Sequence, residues 1–224
     1  MPAMMDKKLF IDSAFRSLNF NGERICGDSF LIRTSPSGRR TIAVLSDGMG
    51  HGIKANILST FTSTMLLNFI TSHDDIDSIA DIILRMLPVN PKYDVSYSTF
   101  TLADIDNHTG EISIVQYDNP PVILLRGGIP SELNWEEKQS VRENGKPLCM
   151  RTARFMAKEN DRLVMVSDGV TQSGQRNESY KFGWSHFELQ QFISYIASVN
   201  NGISSADIAA QVVSRAKIND DGKP

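Results

Sequence analysis

Two stretches of the sequence join an apolar, strand-like run to the tripeptide Ser-Asp-Gly. Residues 41–52 read TIAVLSDGMGHG and residues 162–170 read RLVMVSDGV, so Asp47 and Asp168 each stand where a predicted strand ends. An aspartate at such a place can simply open a turn with its carboxylate in water. The repeated tripeptide favours a second interpretation, in which the two strand ends meet. Unit charges about 4 Å apart repel by roughly 4 kcal/mol at an effective dielectric of about 20, so converging carboxylates need a shared proton or a cation.

The residues around these aspartates favour a cation that takes oxygen ligands. Gly48 follows Asp47 and has no side chain, so we expect its carbonyl oxygen to approach a metal. Asp28, in the segment ICGDSF, is a third carboxylate beside a predicted strand. No cluster of histidines and cysteines offers the ligands that zinc prefers. The pattern therefore predicts a site for Mg²⁺ or Mn²⁺.

Composition and charge narrow the choice of partners. The chain of 224 residues has 23 basic and 26 acidic residues and no run of Lys or Arg, which argues against nucleic acid as the main partner. Cys26 and Cys149 lie far apart, so neither a disulfide framework nor a zinc site is expected. The N-terminus lacks the apolar core of a signal peptide, and no apolar run approaches the roughly 18 residues that cross a membrane. The sequence predicts a cytoplasmic chain without a membrane segment.

The elements that must position the three aspartates are blocks of strands with helices between and after them. The strands are predicted over residues 29–33, 41–46, 98–105, 111–117, 122–126, 154–158 and 163–167, and the helices over residues 53–69, 74–87, 185–198 and 204–217. The first two strands and the last two are each expected to pair as a hairpin. Apolar residues at helical spacing predict an amphipathic first helix, on the positions Ile53, Ile57, Leu58, Phe61, Met65, Leu66 and Phe69. Strand blocks beside helices predict an α+β layered domain.

Six segments, taken in chain order, resemble motifs of the PPM-type (protein phosphatase 2C-like) metal-dependent serine/threonine protein phosphatases, in particular the bacterial branch typified by stage II sporulation protein E. They are Gly27-Asp28 before SF, then SDGMGHG, YSTFTLADID, DNPPVILLRGG, GKPLCM and LVMVSDGVTQSG. The resemblance implies a four-layer α-β-β-α sandwich of two antiparallel sheets flanked by helices, in a single catalytic domain over residues 1–224. It also implies two divalent cations, Mn²⁺ or Mg²⁺, that activate a water molecule for attack on phosphoserine or phosphothreonine.

The same resemblance implies a role for each candidate metal ligand. Asp47 would bridge both cations, and Gly48 would contribute its carbonyl oxygen. Asp168 would bind one cation, and Asp28 would bind directly or through a water molecule. Asp47 and Asp168 are then the catalytic residues through the ions they hold, and no residue of the chain becomes phosphorylated.

Two further catalytic candidates depart from the family pattern. The eukaryotic branch has a histidine directly after the first Asp-Gly, where this chain has Met49. His51 is then the candidate proton donor to the leaving group, and the alternative is a loop histidine without a catalytic role. Arg24 is a candidate for binding the phosphate, and the alternative is a solvated surface charge.

The last residues of the sequence resemble the stretch that precedes the family's closing motif, an Asp-Asp pair followed by an apolar strand. Residues 216–224 read AKINDDGKP. We therefore expect the domain to lack that motif and its last strand, and we expect Asp220 and Asp221 to lie in a solvated loop. Residues 174–183 are expected to form a flap beside Asp168. The sequence DNPP at residues 118–121 could line the cleft, but a turn is a sufficient explanation for it.

Three functions remain open from the sequence. The first is a Mn²⁺- or Mg²⁺-dependent protein serine/threonine phosphatase, whose substrate, by the resemblance, is a phosphorylated regulatory protein such as an anti-sigma-factor antagonist. The second is a non-catalytic binding domain that kept the fold. The third is a metal phosphohydrolase that acts on small molecules. Metal-dependent hydrolysis of p-nitrophenyl phosphate separates the second from the others, and a phosphopeptide compared with a small ester separates the first from the third.

Overall fold

The computed structural model describes residues 9–19, 22–71, 98–141, 147–175, 180–200 and 202–221, together with Ser78, Ile82 and Arg85. In this part of the chain the strands are β1 Ser29–Thr34, β2 Arg40–Gly48, β3 Ser98–Asp106, β4 Glu111–Tyr117, β5 Ile123–Arg126, β6 Ile129–Ser131, β7 Glu136–Val141, β8 Pro147–Met156 and β9 Arg162–Val164. The helices are α1 Gly52–Thr71, α2 Asp168–Thr171, α3 His186–Val199 and α4 Ser205–Asp221. No helix among the described residues has the length and apolar character needed to span a bilayer.

The strands form two antiparallel sheets that face each other. The larger sheet has the order β1-β2-β3-β4-β8-β7, and the smaller one has the order β6-β5-β9. Helix α1 packs on the outer face of the larger sheet, where Leu66 and Ile70 join a buried cluster with Val44. Helices α3 and α4 pack on the smaller sheet, in a cluster that includes Ile123 and Ile193. The α-β-β-α sandwich expected from the sequence is therefore confirmed.

Strand β2 is the central element for the site. Residues 41–46 are all buried, because α1 covers one face of the strand and the smaller sheet lies over the other. This double burial explains why the run TIAVL is apolar without alternation. The hairpin of β1 and β2 is confirmed, and its register pairs Ser29 with Ser46.

The hairpin expected for residues 154–158 and 163–167 is wrong. Strand β8 pairs with β4 and β7 in the larger sheet, whereas β9 pairs with β5 in the smaller sheet. The short connection between them turns at Asn160, whose φ is 64°, and carries the chain from one sheet to the other. A short polar turn between two apolar runs is equally compatible with a hairpin and with a crossing between stacked sheets, so the local pattern could not decide.

Helix α1 is confirmed, but four of the seven apolar positions expected on its buried face, including Phe69, are exposed. Ile53, Ile57 and Phe61 are 62%, 60% and 50% exposed. The first half of the face toward the sheet is made of small and hydroxyl residues, of which Ser59 donates to the Gly27 carbonyl oxygen at 2.6 Å. Small side chains let the helix backbone approach β2 closely, and this requirement outweighs apolar burial along that part of the helix.

Of the remaining helices, the two longer ones, α3 and α4, were expected from the sequence, and the short α2 was not. Helices α3 and α4 correspond to the predicted closing helices. The helix expected over residues 74–87 lies largely outside the described residues, although Ser78, Ile82 and Arg85 are helical. Helix α4 continues to Asp221, so the loop expected around Asp220 and Asp221 is wrong.

Candidate metal centre

The three aspartates reach one end of the sandwich from three different elements. Asp28 lies directly before β1, and Asp47 is the second-last residue of β2. Because Ser29 pairs with Ser46, extending the register by one residue places Asp28 beside Asp47. Asp168 is the first residue of α2, four residues after the end of β9 in the smaller sheet. The site therefore lies where strand ends of both sheets come together.

A hydrogen bond joins the two sheets at this point. The Ser167 hydroxyl donates to Oδ2 of Asp28 over 2.7 Å, although the two residues are 139 positions apart in the chain. On the other side, the Asp168 carboxylate accepts a bond of 3.1 Å from the Gln172 side-chain amide one turn along α2.

The electrostatics show that the three carboxylates act on one another. Burial, followed by the negative charges of Asp28 and Asp168, raises the pKa of Asp47 to about 9. Burial also raises the pKa of Asp28, while hydrogen bonds from Ser167 and Asp47 act in the opposite direction. At neutral pH the cluster therefore keeps a proton when no cation is bound. A shared proton is one of the two ways, beside a bound cation, in which converging carboxylates can be accommodated.

Gly48 is required for a reason that the sequence did not reveal. A Cβ at this position would lie 2.0 Å from the carbonyl oxygen of Ala55, in the first turns of α1. Gly27 is also tightly packed, since its Cβ would come within 3.1 Å of the Ala55 side chain. The glycine after Asp47 thus lets α1 begin against the end of β2. A contribution of its carbonyl oxygen to a metal stays a prediction.

Buried hydroxyl groups fix the backbone beneath Asp47. The hydroxyls of Ser46 and Ser98 lie 2.8 Å apart, and both residues are buried. The Ser98 hydroxyl donates to the Asp47 carbonyl oxygen at 2.9 Å, and that of Ser46 donates to the Thr99 carbonyl oxygen at 2.8 Å. These bonds hold the end of β2 against β3, so the position of Asp47 is set by the sheet.

Asp118 is a fourth carboxylate at this end, although the sequence analysis did not count it among the candidate ligands. It follows β4 and has a φ of 55°, in the left-handed region. Burial and the negative charge of Asp168 raise its pKa, so the two carboxylates lie close enough to interact. Asn119 holds the turn by donating to the Thr101 hydroxyl at 3.0 Å. The signal that could have found Asp118 was again an aspartate at the end of an apolar strand.

The two remaining candidates, His51 and Arg24, differ in their position relative to the aspartates. His51 is exposed, and its Nδ1 lies 2.7 Å from Oε1 of Glu23. It lines a cavity of about 1580 Å³ that also includes Asp28, Asp47 and Asp168. Arg24 is exposed and is not among the described residues that line this cavity, so its assignment still rests on sequence position alone.

The same cavity extends between the sheets along β9. Its apolar lining comes from the inner faces of both sheets and from α4, and includes Leu45, Ile105, Leu163 and Val212. Within the described residues β9 pairs with β5 alone, so its other edge borders this space. The cavity therefore offers a free strand edge and an apolar surface next to the aspartates.

The end of α4 closes one side of the cavity. Oδ1 of Asp220 accepts the backbone N–H of Gly174 at 2.7 Å. Gly174 has a φ of 81°, and a Cβ there would lie 2.7 Å from the Tyr180 side chain. The part of the expected flap that is described, residues 174–175 and 180–183, is thus tied to α4 at its start, while Phe182 is 85% exposed.

The donor set fits a hard divalent cation. Asp28, Asp47 and Asp168 supply carboxylate oxygens only, and their mutual repulsion is at present relieved by a proton that a cation could replace. Over the described ranges, no three Asp, Glu, His or Cys side chains already stand as a complete ligand set. Binding an ion therefore requires the carboxylates to turn toward it.

Comparison with known proteins assigns this arrangement to a family. A family model described as Stage II sporulation protein E (SpoIIE) matches residues 37–224. The chain belongs to the SpoIIE family. The Priestia megaterium protein "Stage II sporulation protein E" is 22% identical over 218 residues, which make up 95% of this chain and 34% of that protein. The present SpoIIE-family chain thus spans about a third of that relative's length.

Solved structures show the same fold. The structure of the PP2C phosphatase domain and a regulatory-domain fragment of SpoIIE from Bacillus subtilis superposes with a TM-score of 0.69 at 21% identity, over 96% of this chain and 60% of that one. RsbX in complex with magnesium gives a TM-score of 0.60 at 18% identity, over 91% of this chain and 86% of that one. The family and fold expected from the sequence motifs are confirmed.

Proposed function

We propose that this chain is a metal-dependent protein serine/threonine phosphatase. The observation that carries the proposal is Asp47, a carboxylate at a strand end whose pKa is raised to about 9 by burial and by Asp28 and Asp168. Such a group is costly to keep in a fold unless something positive binds there, and SpoIIE-family membership supports catalysis as the reason.

Asp28, Asp47 and Asp168 would hold two divalent cations, Mn²⁺ or Mg²⁺, with the Gly48 carbonyl oxygen as a further ligand. When bound, the cations would supply an activated water and neutralise the charge on the phosphoryl group. The protein's own contribution is to fix the ligands. Hydrogen bonds beneath β2 hold Asp47, and the Ser167 hydroxyl holds Asp28. The cavity in front of them is open to a phosphorylated side chain.

His51 is our proposed proton donor to the leaving alkoxide. Its Nδ1 lies 2.7 Å from Oε1 of Glu23, and its side chain lines the same cavity as the aspartates. A serine alkoxide leaves only after protonation, whereas p-nitrophenolate leaves as an anion. His51→Asn should therefore slow hydrolysis of a phosphoserine peptide much more than that of p-nitrophenyl phosphate. Equal slowing of both substrates would remove His51 from this role.

For the substrate we propose a phosphorylated regulatory protein of a bacterial cytoplasm, an anti-sigma-factor antagonist being the type that the resemblance suggests. SpoIIE-family membership supports this choice, and no described residue encodes the identity of the substrate. A binding domain without catalysis is the second candidate, because no three described side chains already form a complete ligand set.

The test compares a phosphoserine peptide with p-nitrophenyl phosphate, each with Mn²⁺ and with EDTA, on the wild type and on Asp168→Asn. Mn²⁺-dependent release of phosphate from the peptide, lost in the variant, is the expected result. Hydrolysis of the small ester alone would favour a small-molecule phosphohydrolase. Absence of hydrolysis of both would favour the binding domain.

A further inference from the structure

The serines of the two Ser-Asp-Gly tripeptides are both buried, but they have different partners. Ser46 donates to the Thr99 carbonyl oxygen, and its hydroxyl lies 2.8 Å from that of Ser98, so its neighbours are strand backbone and another hydroxyl. Ser167 instead donates to a carboxylate, Oδ2 of Asp28, at 2.7 Å. The two serines of the repeated tripeptide therefore have different structural roles.

Ser167 stands at a position where a serine side chain usually caps a helix. Ser167 is the N-cap residue of α2, with φ −85° and ψ 171°, the place where a serine oxygen ordinarily accepts a backbone N–H of the helix. In this structure the side chain makes no capping bond. The hydroxyl points across to the loop before β1, and the residue is only 6% exposed. Its polar group is thus committed to Asp28.

We propose that Ser167 is a positioning residue that orients the Asp28 carboxylate toward Asp47 for metal binding. The inference rests on the proposed function, since it concerns the same three aspartates. Asp28 lies in a short segment before β1 and is not itself paired in a strand, whereas Asp47 pairs with Thr99 of β3. The hydroxyl from the other sheet supplies the missing constraint, and it does so from the residue adjacent to Asp168. One contact thereby fixes the spacing between ligands carried by two different sheets.

The prediction is a selective loss of metal affinity. Partners that orient a ligand typically change metal affinity by about 10- to 100-fold when they are removed. We expect Ser167→Ala to weaken Mn²⁺ binding by about tenfold or more. Ser167→Thr keeps a hydroxyl on Cβ, and its Mn²⁺ affinity should stay within about threefold of that of the wild type. Thr62→Val is the control, because it removes a buried hydroxyl that donates to the Leu58 carbonyl oxygen within α1 rather than to a carboxylate.

The experiment measures Mn²⁺ affinity by calorimetric titration of the metal-free proteins, with melting temperatures taken in EDTA to record folding. A role that is only structural would lower the melting temperature of Ser167→Ala and of Thr62→Val while leaving the Mn²⁺ affinity of both unchanged. That result would overturn the proposal. The proposal predicts instead that Mn²⁺ affinity falls in Ser167→Ala and stays unchanged in the control. Because Ser167 acts through Asp28, adding Ser167→Ala to an Asp28→Ala background should change affinity little further.

Two outcomes separate this inference from the proposed function. A wild type that binds Mn²⁺ and hydrolyses the phosphopeptide, together with a Ser167→Ala variant of normal affinity, overturns the role of Ser167 alone. A wild type that binds Mn²⁺, loses affinity on Ser167→Ala and hydrolyses nothing overturns the phosphatase while supporting Ser167. A wild type that binds no Mn²⁺ overturns both. If Ser167→Ala does not fold, Ser167→Thr and the Asp28→Ala background still provide the comparison: a tenfold loss in Ser167→Thr would then contradict the proposal.

Discussion

Replacing Asp47 by asparagine should stabilise the metal-free protein even though it removes the carboxylate that we propose as the bridging metal ligand. Asp47 has a pKa of about 9 in the folded protein against an ordinary value of 3.8, because it is buried between Asp28 and Asp168. The folded state therefore takes up a proton that the unfolded state releases at neutral pH. Asparagine has nearly the shape of the protonated acid and needs no proton.

The magnitude follows from the linkage between protonation and folding. Each pH unit between the two pKa values is worth about 1.36 kcal/mol, so proton uptake at pH 7 costs on the order of 4 kcal/mol. Since the folded pKa is the higher one, this group's contribution to stability is complete below pH 3.8 and is lost as the pH rises to about 9. The advantage of Asp47→Asn should thus be near zero at about pH 4 and reach ~2–4 kcal/mol at pH 7, the lower figure allowing for rearrangement of side chains and water.

The assay is urea unfolding in EDTA for the wild type and Asp47→Asn at several values between about pH 5 and pH 8. Asp106→Asn is the control, because hydrogen bonds from backbone N–H groups lower the pKa of Asp106. Its effect on stability should be flat over the same range, since any change falls below its ordinary pKa. A stability difference for Asp47→Asn that does not grow with pH, or a variant less stable than the wild type at about pH 8, would refute the reasoning.

Two further predictions concern the same end of the sandwich. Millimolar Mn²⁺ or Mg²⁺ should raise the melting temperature, and EDTA should reverse the rise. A ligand present at 100-fold its Kd adds about 2.7 kcal/mol to the free energy of unfolding. A melting temperature that changes with neither addition would favour the non-catalytic binding domain. Gly48→Ala should cost about 3 kcal/mol or more in urea unfolding, because its Cβ would lie 2.0 Å from the Ala55 carbonyl oxygen, whereas Gly169→Ala, with no contact closer than 3.8 Å, should unfold nearly as the wild type does. Equal losses in the two variants would show that the contact is not the cause.

The parts of the fold that could be predicted are those with a local signal. Strand β2 is a long apolar run ended by Asp-Gly, and its hairpin with β1 follows from the turn-forming residues between them. Convergence of Asp28 with Asp47 follows from that register. Asp168 joined the same site in the prediction only because its tripeptide repeats that of Asp47, and the structure does bring the two carboxylates together.

The parts that could not be predicted depend on contacts between distant segments. Strands β8 and β9 look like a hairpin until the stacking of the two sheets is known. In α1 the apolar face and the face rich in small and hydroxyl residues have the same helical period, and only the close approach of β2 decides which one is buried. Strand β7 was missed because EEKQSV carries the charged residues of an exposed edge strand and lacks apolar alternation.

The same limit applies within the site. The need for glycine at Gly48 comes from Ala55, and the role proposed for Ser167 comes from Asp28, 139 residues away. Neither partner can be chosen from the sequence without the fold. Asp118 could have been noticed as an aspartate at a strand end, but its interaction with Asp168 depends on how β4 and β9 are placed in different sheets.

The central claim is that Asp47 and Asp168 hold the cations that make this chain a phosphatase. The most direct test measures two quantities on the same samples of the wild type, Asp47→Asn and Asp168→Asn. They are the amount of Mn²⁺ bound, determined by equilibrium dialysis, and the release of phosphate from a phosphoserine peptide. We predict that each variant remains folded, binds less Mn²⁺ than the wild type and releases no phosphate above the EDTA background. Either variant binding Mn²⁺ and releasing phosphate as the wild type does would contradict the account.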